Sequence, residues 1–243
     1  MTGVFISRGM SIGVPSGGST LAADDGGNIK GSLSLHVWFD VTRTWLELAQ
    51  SHLGDARERR TSRQAAWAQS DETLKASSLE REFESSMQAV MSAAIALDAY
   101  YAVVKNCVTL PANLEALWRE KRTPRHSQVT EVIRRAFALK KEGTAALRKN
   151  IRQVFHFRDL AVHPSGKIEA PLLHPELNVG VEWRFAYFRA MNAEEIVYAV
   201  GRILWDLSNG PAPKSVKLAK YSVGLKAKLN EIFPNGRPIA VRI

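Results

Sequence analysis

Between Val154 and Gly166 the chain reads VFHFRDLAVHPSG, and four residue types in this stretch can do chemistry: His156, Arg158, Asp159 and His163. Histidine titrates near neutrality, so it can take up and return a proton under ordinary conditions. Arginine stays charged and can hold a phosphate or a carboxylate through paired N–H donors. Aspartate can orient either of them. Together they suit proton transfer beside an anionic group. The alternatives are surface decoration and a satisfied polar cluster in a core.

The spacing predicts a helix over residues 144–162, because Pro164 disfavours helical backbone at His163. On that helix Lys149, Arg152, His156 and Asp159 fall within an arc of about 80°. Leu147, Ile151, Val154, Phe155, Ala161 and Val162 occupy the opposite side. A solvated amphipathic face accounts for Lys149 and Arg152 as well as nucleic-acid contact does. His156 is in the same position: a surface histidine, or a second titrating group. Arg158, however, lies toward the apolar side, where a guanidinium needs an acceptor. His163 sits at the helix end, where its ring is released from the helical direction.

The acceptor is expected from another helix. Phe83, Met87, Val90, Ala94, Leu97, Tyr101 and Val104 recur every three or four residues and mark one buried stripe. Asp98 falls inside it. A carboxylate there is costly unless paired, which makes it the natural partner of Arg158.

The remaining elements frame these two helices. A helix is expected over residues 34–53 and a short one over 112–120. Another should run over 127–141 with Ser127 as its cap. The segment 55–85 is charged, poor in large apolar residues and mostly helix-compatible. In residues 178–188, NVGVEWRFAYF, Val181, Trp183, Phe185 and Tyr187 alternate with Glu182, Arg184 and Ala186, which predicts a strand. KIEAPLL before it would be its hairpin partner. Asn192 should cap a helix ending before Gly210, and a basic helix over 216–232 should follow. The expected fold is mainly α: a four-to-five-helix bundle with a small β-hairpin, around 167–189, inserted before the last core helix. The expected organisation is a flexible arm over 1–32, the helical domain over 33–210, and a basic helix and tail over 211–243.

The whole composition bounds the rest. Of 243 residues 45% are hydrophobic and 23% charged, enough for a packed core. Cys107 is the single cysteine, so no intrachain disulfide is expected and a reducing cytoplasm is the natural location. No uninterrupted apolar run approaches eighteen residues, so no membrane span is expected, and the Gly/Ser-rich beginning lacks a signal-peptide pattern. The formal charge is +9, with a net +6 after Gly210. Such a tail favours a polyanionic partner, RNA or DNA, or it serves solubility. No metal-ligand spacing, phosphate-binding loop, dinucleotide fingerprint or nucleophile elbow is present, and no metal or cofactor is expected.

RDLAVH, residues 158–163, resembles the R-x(4–6)-H signature of HEPN domains, named for higher eukaryotes and prokaryotes nucleotide-binding. In that family a polar residue commonly follows the arginine, as Asp159 does. SAAIALDAYYAVV, residues 92–104, is similar to the family's second core helix, with Asp98 at its acidic position. The resemblance implies a helical bundle and, in many members, metal-independent endoribonuclease activity in toxin–antitoxin pairs or antiviral defence. It implies that His163 transfers protons, that Arg158 positions the phosphate, and that Asp159 orients His163 or contacts ribose. Asp98 and His156 would support them, with Lys149 and Arg152 on the RNA. It further implies a homodimer whose two motifs share one cleft, a cyclic 2′,3′-phosphate product, and a possible antitoxin or accessory partner. Other members are catalytically silent binding modules. Apart from the resemblance, a plain helical scaffold with a structural Arg158–Asp98 pair also fits.

Overall fold

A computed structural model of the chain describes residues 5–7, 10–23, 26–27, 29–163 and 166–239, the side chains of residues 141 and 143 excepted. It divides into two compact units, Met1–Val41 and Thr42–Ile243. The division falls nine residues beyond the boundary expected at residue 32.

The first unit contains strands where an arm was expected. β1 (Met10–Gly13) pairs antiparallel with β4 (His36–Phe39), and β2 (Ser19–Ala23) with β3 (Ile29–Leu33). Two of the glycines that suggested flexibility, Gly17 and Gly18, belong to a turn, while Gly13 and Gly31 lie in strands. Gly17 has φ 75°, and the Gly18 N–H donates to the Pro15 carbonyl at 2.8 Å, closing a β-turn. In both ladders one face is the more apolar, with Met10, Ile12, Val37 and Phe39 together in the first. Leu35, Val37 and Trp38 were expected on a helix; β4 takes Val37 and Trp38, and that helix begins at Thr42.

The second unit is the helical bundle. Its long helices are α1 (Thr42–Trp67), α2 (Glu72–Lys105), α4 (Arg125–Ala136), α5 (Lys141–Val162), α7 (Ala190–Asn209) and α8 (Val216–Ile232). The short α3 (Leu114–Glu120) and α6 (Trp183–Tyr187) bridge between them, and β5 (Leu172–Leu173) pairs with β6 (Gly180–Val181). α2 is central, packing on α1, α4, α5 and α7. Its buried face holds Ala89, Ala93, Ala94 and Ala96 beside Val90, Leu97 and Tyr100, and the small residues let neighbouring helices approach closely. Leu46, Leu53, Ile133, Ile151, Val154, Ile196, Leu204, Leu218 and Leu229 close the core from the other helices. Each such side chain contributes about 1.5–3 kcal/mol by leaving water. α2 is long and apolar enough to cross a membrane by composition, but 61% of the eighteen-residue stretch that qualifies is buried within the bundle. Gly201 marks a tight approach, since a Cβ there would lie 2.7 Å from the Phe233 ring.

Several local expectations are corrected. The charged segment 55–85 completes α1 and opens α2, and three arginines of α1 find carboxylates on α2, α7 and the β5–β6 connection. Arg57 meets Glu194, Arg60 meets Glu176, and Arg63 meets both Glu82 and Glu176. α4 begins at Arg125 after Pro124, so Ser127 is not its cap, and it stops at Ala136 as Ala138 turns to φ 50°. The expected strand keeps only Gly180 and Val181. From there Glu182 caps α6, its side chain accepting from the Arg184 N–H at 2.8 Å. Burial follows the helix: Ala186 is buried and Tyr187 exposed, the reverse of the strand phase. α7 starts at Ala190, whose N–H donates to Glu82 of α2 at 3.0 Å; Asn192 instead donates to the Tyr187 carbonyl at 2.9 Å.

Candidate functional site

α5 ends at Val162, with His163 as its cap and the His163 N–H donating to the Asp159 carbonyl at 2.9 Å. Pro164, which the sequence reading used to end the helix, lies outside the described residues. Ile151, Val154 and Phe155 anchor one side of α5 in the core. That anchoring carries Arg158 to the margin of the bundle, where its side chain is 24% exposed.

There Arg158 Nη1 donates to Asp98 Oδ2 at 3.2 Å, across sixty residues of sequence. Its Nε and Nη2 donate to Asp159 Oδ1 at 3.0 and 2.7 Å. Its guanidinium also lies 4.6 Å from the Phe155 ring centroid. Asp98 is 29% exposed, at the edge of the apolar stripe rather than deep within it. The Asp159 side chain thus holds Arg158, whereas the expectation had it orient His163 or contact ribose.

A second arginine, unforeseen in the sequence, completes the cluster. Arg125, the first residue of α4, points both Nε and Nη2 at Asp98 Oδ1, each at 2.8 Å. Its guanidinium stacks over the Tyr101 ring at 4.1 Å, a cation–π contact from the same face of α2 that carries Asp98. One carboxylate thus bridges two guanidiniums.

His126 follows on α4, partly buried. Burial disfavours its imidazolium most, and the charges of Arg152 and Arg148 lower its proton affinity further, while Asp159 opposes them. It stays mostly neutral at pH 7. Among the described residues the side chain of His163 is exposed and makes no hydrogen bond or ion pair. His156 is exposed as well, edge-on to Phe157 at 6.1 Å. Lys149 and Arg152 lie exposed on α5.

The structure thus joins Arg158, Asp159 and Asp98, adds Arg125 and His126, and leaves His163 and His156 at the surface. Nothing in local spacing marks Arg125 or His126, because only the packing of α4 on α2 and α5 brings them in. A cavity of about 320 Å³ between α5 and α7, lined by Leu147, Asn150, Ile203, Asp206 and Arg237 among others, involves none of these groups. Among the described residues, no three His, Cys, Asp or Glu side chains gather in a way that could hold a metal ion. Arg125 and Arg158 keep unspent N–H donors at the partly exposed edge of the cluster, which suits them to an anion. Comparison with family models, curated proteins and solved structures finds no match for this chain.

Proposed function

We propose that the chain is a HEPN-type, metal-independent endoribonuclease that acts as a homodimer in the cytoplasm. The observation that supports it is Arg158, fixed between Asp98 and Asp159, with an exposed His163 ending the same helix. In this reading a base takes the proton of a ribose 2′-OH and the 2′-oxygen attacks phosphorus. The P–O5′ bond breaks, and an acid returns a proton to the 5′-oxygen. The products are a 2′,3′-cyclic phosphate and a 5′-hydroxyl. His163 moves a proton, and the remaining N–H donors of Arg158 meet the charge that develops on phosphate. Because both an acid and a base are needed, His163 of a second subunit completes the site. An RNA substrate, a defence or toxin–antitoxin setting, and control by an antitoxin belong to the same proposal.

Incubation of the purified protein with RNA in EDTA tests it. Cleavage that persists in EDTA and is lost in both Arg158→Ala and His163→Ala sustains the reading. If wild type leaves every RNA intact, or Arg158→Ala chiefly lowers the melting temperature, the reading fails. One observation favours a second reading, a silent HEPN-like module that binds RNA without cutting it: three of the five Arg158 N–H donors are already held by its own chain's carboxylates. Binding without cleavage would select it.

A further inference from the structure

Two guanidiniums share Asp98, and they are not equally committed. Arg158 spends Nε, Nη1 and Nη2 on two carboxylates. Arg125 spends Nε and Nη2 on the single oxygen Asp98 Oδ1, and its Nη1 has no partner among the described residues. At 38% exposed, the Arg125 side chain is also the more accessible of the two. Its plane is fixed on the face of Tyr101, itself buried, so little side-chain freedom remains to be lost on binding.

We propose that Arg125 is a phosphate-contacting residue which, with Arg158 across Asp98, clamps one backbone phosphate of single-stranded RNA. The two arginines are separated by the width of one carboxylate, which suits two donors reaching different oxygens of the same phosphate. Within the cluster the charges of Arg125 and Arg158 are cancelled by Asp98 and Asp159. The surplus that draws in a polyanion comes from Arg148, Lys149 and Arg152, all exposed on α5. Arg148 and Arg152 also depress the proton affinity of His126, the neighbour of Arg125 on α4. Unpaired RNA is the fitting substrate class, because only a nucleotide free of A-form geometry can bring its 2′-oxygen in line for attack. This inference rests on the nuclease reading for the identity of the scissile phosphate, and on the geometry alone for the contact.

A short, fluorescein-labelled 2′-O-methyl oligouridine tests the two separately, since it lacks the attacking 2′-OH and can be bound but not cut. Its affinity for wild type, Arg125→Ala and Arg125→Lys is measured by anisotropy over a salt series, with cleavage of unmodified RNA followed in parallel. In Arg125→Ala the slope of log affinity against log salt should fall by about 0.7, the value of one phosphate contact on a single strand. Affinity at low salt should fall about tenfold, as loss of a charge-assisted contact predicts. Arg125→Lys should keep the slope and lose part of the affinity, since a point charge replaces a fork. Wild-type affinity and slope in Arg125→Ala, or no binding by wild type, overturn the clamp. Binding that behaves as expected while wild type leaves unmodified RNA uncut overturns the nuclease reading and supports the clamp.

Discussion

Arg63 of α1 and Glu176 of the β5–β6 connection are 113 residues apart in sequence and joined by a 2.8 Å ion pair. Arg63 is wholly buried, and Glu82 of α2 takes its Nε. Glu176 in turn accepts from Arg60 at 2.9 Å and Arg189 at 3.1 Å. His174 lies buried beside them, its Nδ1 accepting from the Glu176 N–H at 3.2 Å. This network ties the segment that follows the candidate site to α1, α2 and the start of α7.

Glu176 should make the fold acid-sensitive. Burial pushes its pKa up, but the hydrogen bonds and charges of Arg60 and Arg63 together bring it from 4.5 to about 2. A carboxylate held below its unfolded value adds stability that is present above pH 4.5 and fades as pH falls toward 2. Glu176→Gln should lose about 2–3 kcal/mol at pH 7 in urea melts, and the gap to wild type should close near pH 2. An equal gap at both pH values would contradict the pairing.

His174 adds a second, milder slope. Burial and then the charge of Arg63 lower its pKa below the ordinary 6.5, so the folded protein keeps it neutral. Unfolded chains gain a proton that folded ones do not, so its contribution is full above pH 6.5 and declines as pH drops below it. The melting temperature of wild type should fall faster from pH 7 to pH 5 than that of His174→Gln. His126, also shifted downward, is common to both proteins, so the difference between the two curves isolates His174.

Asp98 should matter more to function than to stability. Asp98→Ala leaves Arg125 and Arg158 facing each other without their shared carboxylate. Because all three side chains are partly exposed, the cost is about 1 kcal/mol. Double-mutant cycles should give a coupling of about 0.5–1 kcal/mol to each arginine. On the proposed function, Asp98→Ala should abolish cleavage while the protein stays folded; retained cleavage would argue against the assignment.

An inactive subunit should be dominant if the site is shared between subunits. On the proposed mechanism one His163 from each subunit serves as acid and base, so a hybrid of wild type with His163→Ala lacks one of the two. Co-refolded with an equal amount of His163→Ala, wild type should keep roughly half of its cleavage per wild-type chain, because only its homodimers carry both groups. Cleavage that stays proportional to wild-type content in a mixture shown to form hybrids would place acid and base in one subunit.

Periodic elements were the legible part. α5 and α8 lie close to where the sequence places them, and the buried stripe of α2 is the one read from residues 83–104. Repetition at helical spacing is local and survives without knowledge of partners. Aromatic alternation over Trp183, Phe185 and Tyr187 was misleading because the five residues of α6 fit either period. The charged half of α1 had no readable stripe because its buried residues are two alanines, Ala56 and Ala66, and an arginine, and Arg63 can be buried only where Glu82 and Glu176 arrive from elsewhere.

The sequence by itself determined the helical bundle, the end of α5 at Val162, and the need of Arg158 for a carboxylate, which the two helix wheels narrowed to Asp98. These follow from backbone restriction by proline and from the cost of an unpaired charge against an apolar surface. Tertiary structure decided the rest. It set Asp159 on Arg158, drew Arg125 onto Asp98 from another helix, and left His163 exposed. Side chains distant in sequence meet only when helices pack, so no local pattern could have joined Arg125 to Asp98.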